Sequence, residues 1–597
     1  MAQHVDTLAR RATELGVETS YRNVEGRRHH ASAATLAVLV DILEADRAGG
    51  PTEVEPVVVA GRGPVAVGAL NGIELELEGG GTIAVPVAGG HADLPADLPV
   101  GSHRLRGEDG GRIEEATVVV APPTMPWDHR LAGRVGGLFV PAYALWERDR
   151  PDPSYAHLRR LASDLADRGI EVLSTLPLYA AFLDEPFDAS PYAPVSRLHW
   201  NEAYLASADT PDALNPGGAG APALAAAELV DWRAVGARRR QNLLHAAGDL
   251  DTNTTAAVTD FVAARPDVGA FARFMADRAV TGDAGWPAAT VERSYELAQY
   301  LAHVELAGIE GHTTTILALD LPIGSHAEGF ETHAHPELFA SGVAVGAPPD
   351  ELFADGQNWG FPPSLPGAGR RSGHDLWRRL VNRAGEHASV LRIDHVMGVH
   401  RLWWIPDGHA ATDGAYVRYR RDEILAVVAA AAARSTTTIV GEDLGTVPDE
   451  VHEALERWDV IGLYEEQFHL DRRPLPRPDR ARVAGLRTHD MPAFAAVVAT
   501  ASDGLAGYRD AVAEELGHPV DGDTLADAAL ERLAATDAVL VLADLDDLLG
   551  ETTPHNVPGR VLPTNWRRRL PAPTSEVLAD PTVTRRLTLL AGRGASA

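Results

Sequence analysis

Three short stretches in the C-terminal half of the chain end an apolar, partly β-branched run on a carboxylate. They are Leu391-Arg392-Ile393-Asp394-His395, Ile439-Val440-Gly441-Glu442-Asp443 and Leu486-Arg487-Thr488-His489-Asp490. The intervals from Asp394 to Glu442 and from Glu442 to Asp490 are both 48 residues. One carboxylate after a strand usually caps a helix or pairs with a base. Three in successive units, two flanked by His and one by Arg, suit the cleavage of a glycosidic bond with retention. One carboxylate attacks the anomeric carbon and a second, about 5–5.5 Å away, protonates the departing oxygen. The acid must be neutral when it acts, so burial or the neighbouring charge has to raise its pKa. A third carboxylate can stabilise the positively charged transition state. Arg392 lies two residues before Asp394, on the same strand face, and is expected to keep that group ionised. His395 and His489 can donate to sugar hydroxyls.

Such groups need strands that end together. Short β-branched runs alternate with helical stretches after residue 124, at Gly137–Pro141, Glu171–Leu176, Thr314–Leu319, Val390–Ile393, Thr436–Val440, Val460–Glu465, Val483–Leu486 and Ala538–Leu542. Eight such runs predict an α/β fold, a (β/α)8 TIM barrel over 124–597, with active groups at the C-terminal strand ends. A helical insertion is expected at about 180–310, with a Gly/Ala/Pro-rich excursion at Gly217–Ala227. Before the barrel, residues 1–53 read as a helical segment, with amphipathic helices over 3–15 and 34–46. Residues 54–123 carry short alternating runs between Gly-rich turns and predict a small β-sandwich domain.

The composition narrows the chemistry. Of 597 residues, none is Cys, and all 53 basic residues are Arg. Thiolate nucleophiles, disulfides, Cys-ligated metals, Schiff bases and the P-loop lysine are thereby excluded. A formal net charge of -31 argues against a nucleic-acid partner. No uncharged apolar run reaches the roughly 18 residues of a membrane span, and the N-terminus lacks a signal-like apolar core, so a cytoplasmic protein without a membrane partner is expected.

LRIDH, GEDLG and THD, in this order and spacing, resemble the amylomaltases of glycoside hydrolase family 77. Further segments share the resemblance: Ser190-Pro191-Tyr192, Asp320-Leu321-Pro322-Ile323, Ala347–Asp350, Gly356-Gln357-Asn358-Trp359-Gly360-Phe361-Pro362, Ala543–Gly550 and Pro558-Gly559 with Asn565-Trp566-Arg567. Together they cover about residues 130–570. The resemblance implies a 4-α-glucanotransferase acting on maltooligosaccharides, with glucose or glucan acceptors. It assigns Asp394 as nucleophile, Glu442 as general acid/base and Asp490 as transition-state stabiliser. Tyr192, Asp320, Asp350, Gln357, Trp359, Arg392, His395, His489 and Asn565 would bind sugar, and neither a metal nor an organic cofactor is implied. The chain departs from the family pattern at Met397, Met491-Pro492 and Glu351, which leaves donor and acceptor length open.

Two other readings use the same residues: an α-glucan hydrolase, and a glucan-binding protein with a disabled barrel, disfavoured because all three carboxylates are present. His326, His333 and His335 lack acidic neighbours at metal-ligand spacing and read as a solvated loop. Arg238–Arg240 reads as an exposed helix face. The sandwich segment 54–123 has no Phe, Trp or Tyr, so a structural role or homo-oligomer formation through the N-terminal region is expected in place of sugar binding.

Overall fold

In a computed structural model, the described residues are all of the chain except 1, 23–25, 48–54, 60–64, 110–111, 207–227, 279–284, 351–352, 446, 502–503 and 594–597. The expected excursion at 217–227 and Glu351 therefore lie outside the described residues. The chain divides into two compact units: residues 1–127, 323–385 and 393–460 form one, and 128–322, 386–392 and 461–597 the other.

Eight parallel strands make up the sheet that organises the chemistry: β1 (Val135–Phe139), β2 (Val172–Ser174), β3 (Ile316–Leu321), β4 (Val390–Ile393), β5 (Thr438–Gly441), β6 (Gly462–Glu465), β7 (Arg482–Gly485) and β8 (Leu540–Asp544). Their order is β5-β4-β3-β2-β1-β8-β7-β6, so β1 lies beside β8 and the sequence runs around a nearly closed TIM-type barrel. Every expected barrel strand is present, and each boundary falls within two residues of the expected one. The register is direct: Leu138 faces Leu173 on one side and Ala543 on the other. Strands buried on both faces read as apolar runs because neither face meets water. That is why they stand out in the sequence.

In the first unit, helices Ala2–Glu14 and Ala33–Arg47 occupy the expected helical segment. The sandwich follows as a five-stranded and a three-stranded sheet. Val65 and Ala92 of the smaller sheet share a core with Leu75, Leu105 and Val118 of the larger. The sequence reading missed a second five-stranded sheet in this unit. It joins Val17–Glu18, Val343–Ala347, Gln357–Asn358, Arg401–Pro406 and Ala415–Arg418. Its strands come from three separated stretches, and the apolar run Leu402-Trp403-Trp404-Ile405 is its longest local signal. Gly346 allows the close pairing: a Cβ there would collide with the carbonyl oxygen of Gln357.

In the second unit, the long helix Ala288–Glu310 follows helices Trp232–Gly248, Thr252–Ala264 and Pro266–Arg278, giving the expected helical insertion. Arg238–Arg240 corrects the sequence reading. Arg239 is buried, Arg238 donates to both carboxylate oxygens of Asp152, and the Arg240 guanidinium lies 3.8 Å from the Tyr295 ring centroid. The run faces packed neighbours because a long guanidinium can bury its stem and still reach a partner. Among the described residues no helix is long and apolar enough to cross a membrane.

Candidate active site

Asp394 directly follows β4, and Glu442 directly follows β5. The strand ends are laced together in the first unit: Glu442 N donates to Ile393 O at 3.0 Å, and Val396 N donates to Glu442 O at 3.1 Å. The side chain joins in, because the backbone N–H of His395 donates to Glu442 Oε2 at 2.7 Å. That contact sets the Glu442 carboxyl against the residue after Asp394. His395 adopts φ +45°, in the left-handed region that a non-glycine residue rarely enters. Such conformations persist where the surroundings over-determine them, often at sites of function. Burial lowers the His395 pKa, against the opposing pull of Glu442. A neutral imidazole both donates and accepts, as a sugar hydroxyl requires. Trp359 is half-buried, with its ring 5.4 Å from that of His395 and edge-on to it, and 6.1 Å from Phe361. Its indole N–H donates to Gln357 Oε1 at 3.3 Å.

Asp350 shapes its own loop: Oδ1 accepts from the N–H of Phe353 at 2.7 Å.

The second unit gathers Tyr192, Asp320, Arg392, His489 and Asp490. The Tyr192 hydroxyl donates to Asp320 Oδ2 at 2.6 Å, and Arg392 Nη1 lies 2.6 Å from both oxygens of that carboxylate. The expectation for Arg392 named only Asp394; the structure adds Asp320, a partner that strand spacing does not reveal. His489 is buried and stacked on Tyr192, at 5.2 Å between ring centroids and 9° between planes, with Phe139 on a further side at 6.1 Å. His489 Nε2 lies 3.2 Å from Asp490 Oδ2, and Asn556 Nδ2 donates to Asp490 Oδ1 at 2.7 Å. The Asp490 side chain keeps 48% of its surface exposed. Crowding by protein atoms works to raise its pKa, but His489, the Asn556 amide and the Arg392 charge bring it down to about 2. It is therefore an anion across the neutral range. A cavity of about 60 Å³ beside this group is lined by Asp320, Arg392, Glu465, Arg487, His489 and Asp544, among others.

Asn565 is committed within its own loop. Its amide nitrogen donates to the carbonyls of Arg560 and Val557, and its oxygen accepts from Val557 N–H. The amide that reaches a site carboxylate is instead Asn556, which the sequence reading missed. So did it miss Trp566, tilted against His489 at 5.9 Å with φ +60°. Trp566 stands in a segment that shares the family resemblance, whereas Asn556 lies two residues before one, at Pro558.

Behind Asp490 lies a second group of carboxylates at the end of β8. Buried Arg487 reaches Asp544 at 2.9 Å and Asp547 at 3.0 Å, and Asp547 also accepts from the N–H of Phe494 at 3.1 Å. Asp546 is held by Arg568 and, at 3.1 Å, by His555. Burial, reinforced by its acidic neighbours, pushes the Asp544 carboxyl up. This lattice fixes the backbone on both sides of His489 and Asp490.

Fold and site define a β/α-barrel enzyme whose ionisable groups stand at the C-terminal ends of the strands. Residues 153–575 match the family model described as 4-alpha-glucanotransferase. The chain is 30% identical to the 4-alpha-glucanotransferase of Mycobacterium tuberculosis (strain H37Rv), covering 83% of this chain and 80% of that one. Its fold is similar to that of amylomaltase from Corynebacterium glutamicum, with TM-score 0.86 and 22% identity over 98% of this chain and 100% of the other. Amylomaltase from Streptococcus agalactiae, solved in complex with acarbose, matches with TM-score 0.67 and 20% identity over 76% of this chain and 98% of that one. The chain belongs to the 4-α-glucanotransferase family, glycoside hydrolase family 77.

Proposed function

We propose that the chain transfers segments of α-1,4-glucan from a donor maltooligosaccharide to the 4-hydroxyl of glucose or another glucan. Asp394 attacks C1 of the donor as the bond from C1 to the leaving 4-oxygen breaks, and Glu442 delivers its proton to that oxygen. A β-linked glycosyl ester on Asp394 results. An acceptor 4-hydroxyl then gives its proton to Glu442 while its oxygen attacks C1, which frees Asp394 and restores an α-1,4 bond. The observation that carries this reading is the hydrogen bond from His395 N–H to Glu442 Oε2. That contact orients the Glu442 carboxyl beside the residue that follows Asp394. Asp490, an anion at neutral pH, suits the charge of the oxocarbenium-like transition state. Asp320, Tyr192, Arg392 and His489 supply donors and acceptors for sugar hydroxyls, and Trp359 offers a ring face with Gln357 beside it. Asp350 fits a loop-shaping role and Asn565 a bracing one. None of these steps calls for a metal or an organic cofactor.

The finer setting follows the same reading. The compartment that suits a cysteine-free enzyme of this chemistry is the cytoplasm. The N-terminal helices (1–53) and sandwich (54–123) serve packing or self-association beside the barrel portion (124–597). Exposed Ile113, Val100 and Val87 on that segment support the self-association part. The direct test of the function is incubation with maltotriose. Glucose together with oligomers longer than the substrate is the expected outcome. Shorter sugars alone, with a steady gain in reducing ends, would show hydrolysis and overturn the proposal.

A further inference from the structure

Away from the strand-end carboxylates, one cluster in the second unit has the donor set of a transition-metal site. His303 lies on the long helix Ala288–Glu310, and Glu386 and His387 stand just before β4. These are the groups whose ligand atoms converge: His303 Nδ1 lies 3.1 Å from His387 Nε2 and 3.7 Å from Glu386 Oε2, and all three atoms fall within 4.8 Å of one another. Zinc binds imidazole nitrogen at about 2.0–2.1 Å and carboxylate oxygen at about 2.0–2.2 Å in a tetrahedral arrangement. Neighbouring ligand atoms are then roughly 3.3–3.4 Å apart. Two of the three separations bracket that value without any backbone movement. The two imidazoles stand 69° apart with ring centroids 4.8 Å from each other, so their nitrogens meet edge to edge and do not stack.

The surroundings hold the ligands in place. His387 is 4% exposed, with its ring edge-on to Trp200 at 5.3 Å, and His303 packs at 5.2 Å against Phe261. The His303 and Glu386 side chains keep 27% and 33% of their surface open, which leaves a path from solvent. Arg265, whose guanidinium lies over the Phe261 ring, reaches Glu386 Oε2 at 3.3 Å and competes for that oxygen. Sequence position hid the cluster, because 84 residues separate the two histidines.

We propose that His303, His387 and Glu386 bind one zinc ion, with water completing the coordination, and that the ion staples the long helix to the segment entering β4. The site is separate from catalysis: His387 precedes β4, whereas Asp394 follows it. The nitrogen-rich donor set favours zinc over calcium or magnesium, which seek oxygen ligands. In a chain with no disulfide to tie distant segments, such a clip stabilises the fold by the binding free energy of the ion.

The test uses the full chain after treatment with a chelator, titrated with zinc chloride by calorimetry and with cobalt chloride by visible absorption. One equivalent of zinc is expected to bind and raise the thermal midpoint, and cobalt should give the intense bands of a four-coordinate ion. His303→Ala should weaken binding more than tenfold, since losing even an outer-shell partner costs about 10–100-fold. Glu386→Gln should weaken it as well. Arg265→Gln should strengthen it by freeing the carboxylate oxygen. Maltotriose transfer should be unchanged in all three. Absence of binding to the parent chain, or equal binding by the parent and His303→Ala at some other histidines, would overturn the proposal. Circular dichroism of each variant distinguishes a lost ligand from a lost fold.

Discussion

Two carboxylate groups in this chain look alike in the sequence and are built in opposite ways. Asp394 and Glu442 follow β4 and β5, and Glu442 Oε2 accepts from the backbone N–H of His395. Asp544, Asp546 and Asp547, at the end of β8, face Arg487, Arg568 and His555. A backbone amide orients a carboxyl without neutralising it, so the group can still pick up and release a proton. A guanidinium in a buried lattice binds the anion as a fixed structural part, and removing one partner strands the others. On the proposed function, the difference separates groups that take part in the chemistry from groups used as scaffolding, and five substitutions break or sharpen it.

Asp394→Ala should reduce transfer by at least about 10⁴-fold, as loss of a covalent nucleophile does, with the thermal midpoint unchanged. Glu442→Gln should cost about 10²–10⁴-fold in kcat, the range of general acid–base catalysis. A maltotriose assay beside thermal melting checks both, and a variant that melts early but transfers well would invert the comparison. Arg487→Met should act the other way. It leaves Asp544 and Asp547 buried without their cation and should cost about 3–5 kcal/mol in stability, read by denaturant unfolding.

Asn556→Ala tests the boundary between the two kinds of group. The folded Asp490 pKa of about 2 lies below the ordinary value of about 3.9. Its stabilising contribution is thus present above pH 4 and is lost as pH falls toward 2. Removing the amide should raise the pKa, shrink that contribution and move the loss to higher pH. Thermal melts between pH 2 and 5 read the shift. The smallest effect is expected for Trp359→Ala: a roughly three- to tenfold rise in KM for maltooligosaccharides, matching about 0.5–1.5 kcal/mol of aromatic contact, with kcat little changed.

Taken alone, the sequence determined the eight barrel strands, the helical insertion, the sandwich and the strand-end positions of Asp394, Glu442 and Asp490. These are written in local periodicity, and strands buried on both faces are mostly apolar. Tertiary structure alone decided the partners. Arg392 meets Asp320 from 72 residues away, Asn556 reaches Asp490 across 66, and His303 meets His387 across 84. Arg239 turns inward although its run of three arginines reads as a solvated face. Such pairings depend on strand register, helix rotation and side-chain rotamers together, and no window of neighbouring residues contains that information. Local pattern says where a carboxylate stands; only the packed chain says whether a backbone amide or a buried guanidinium meets it.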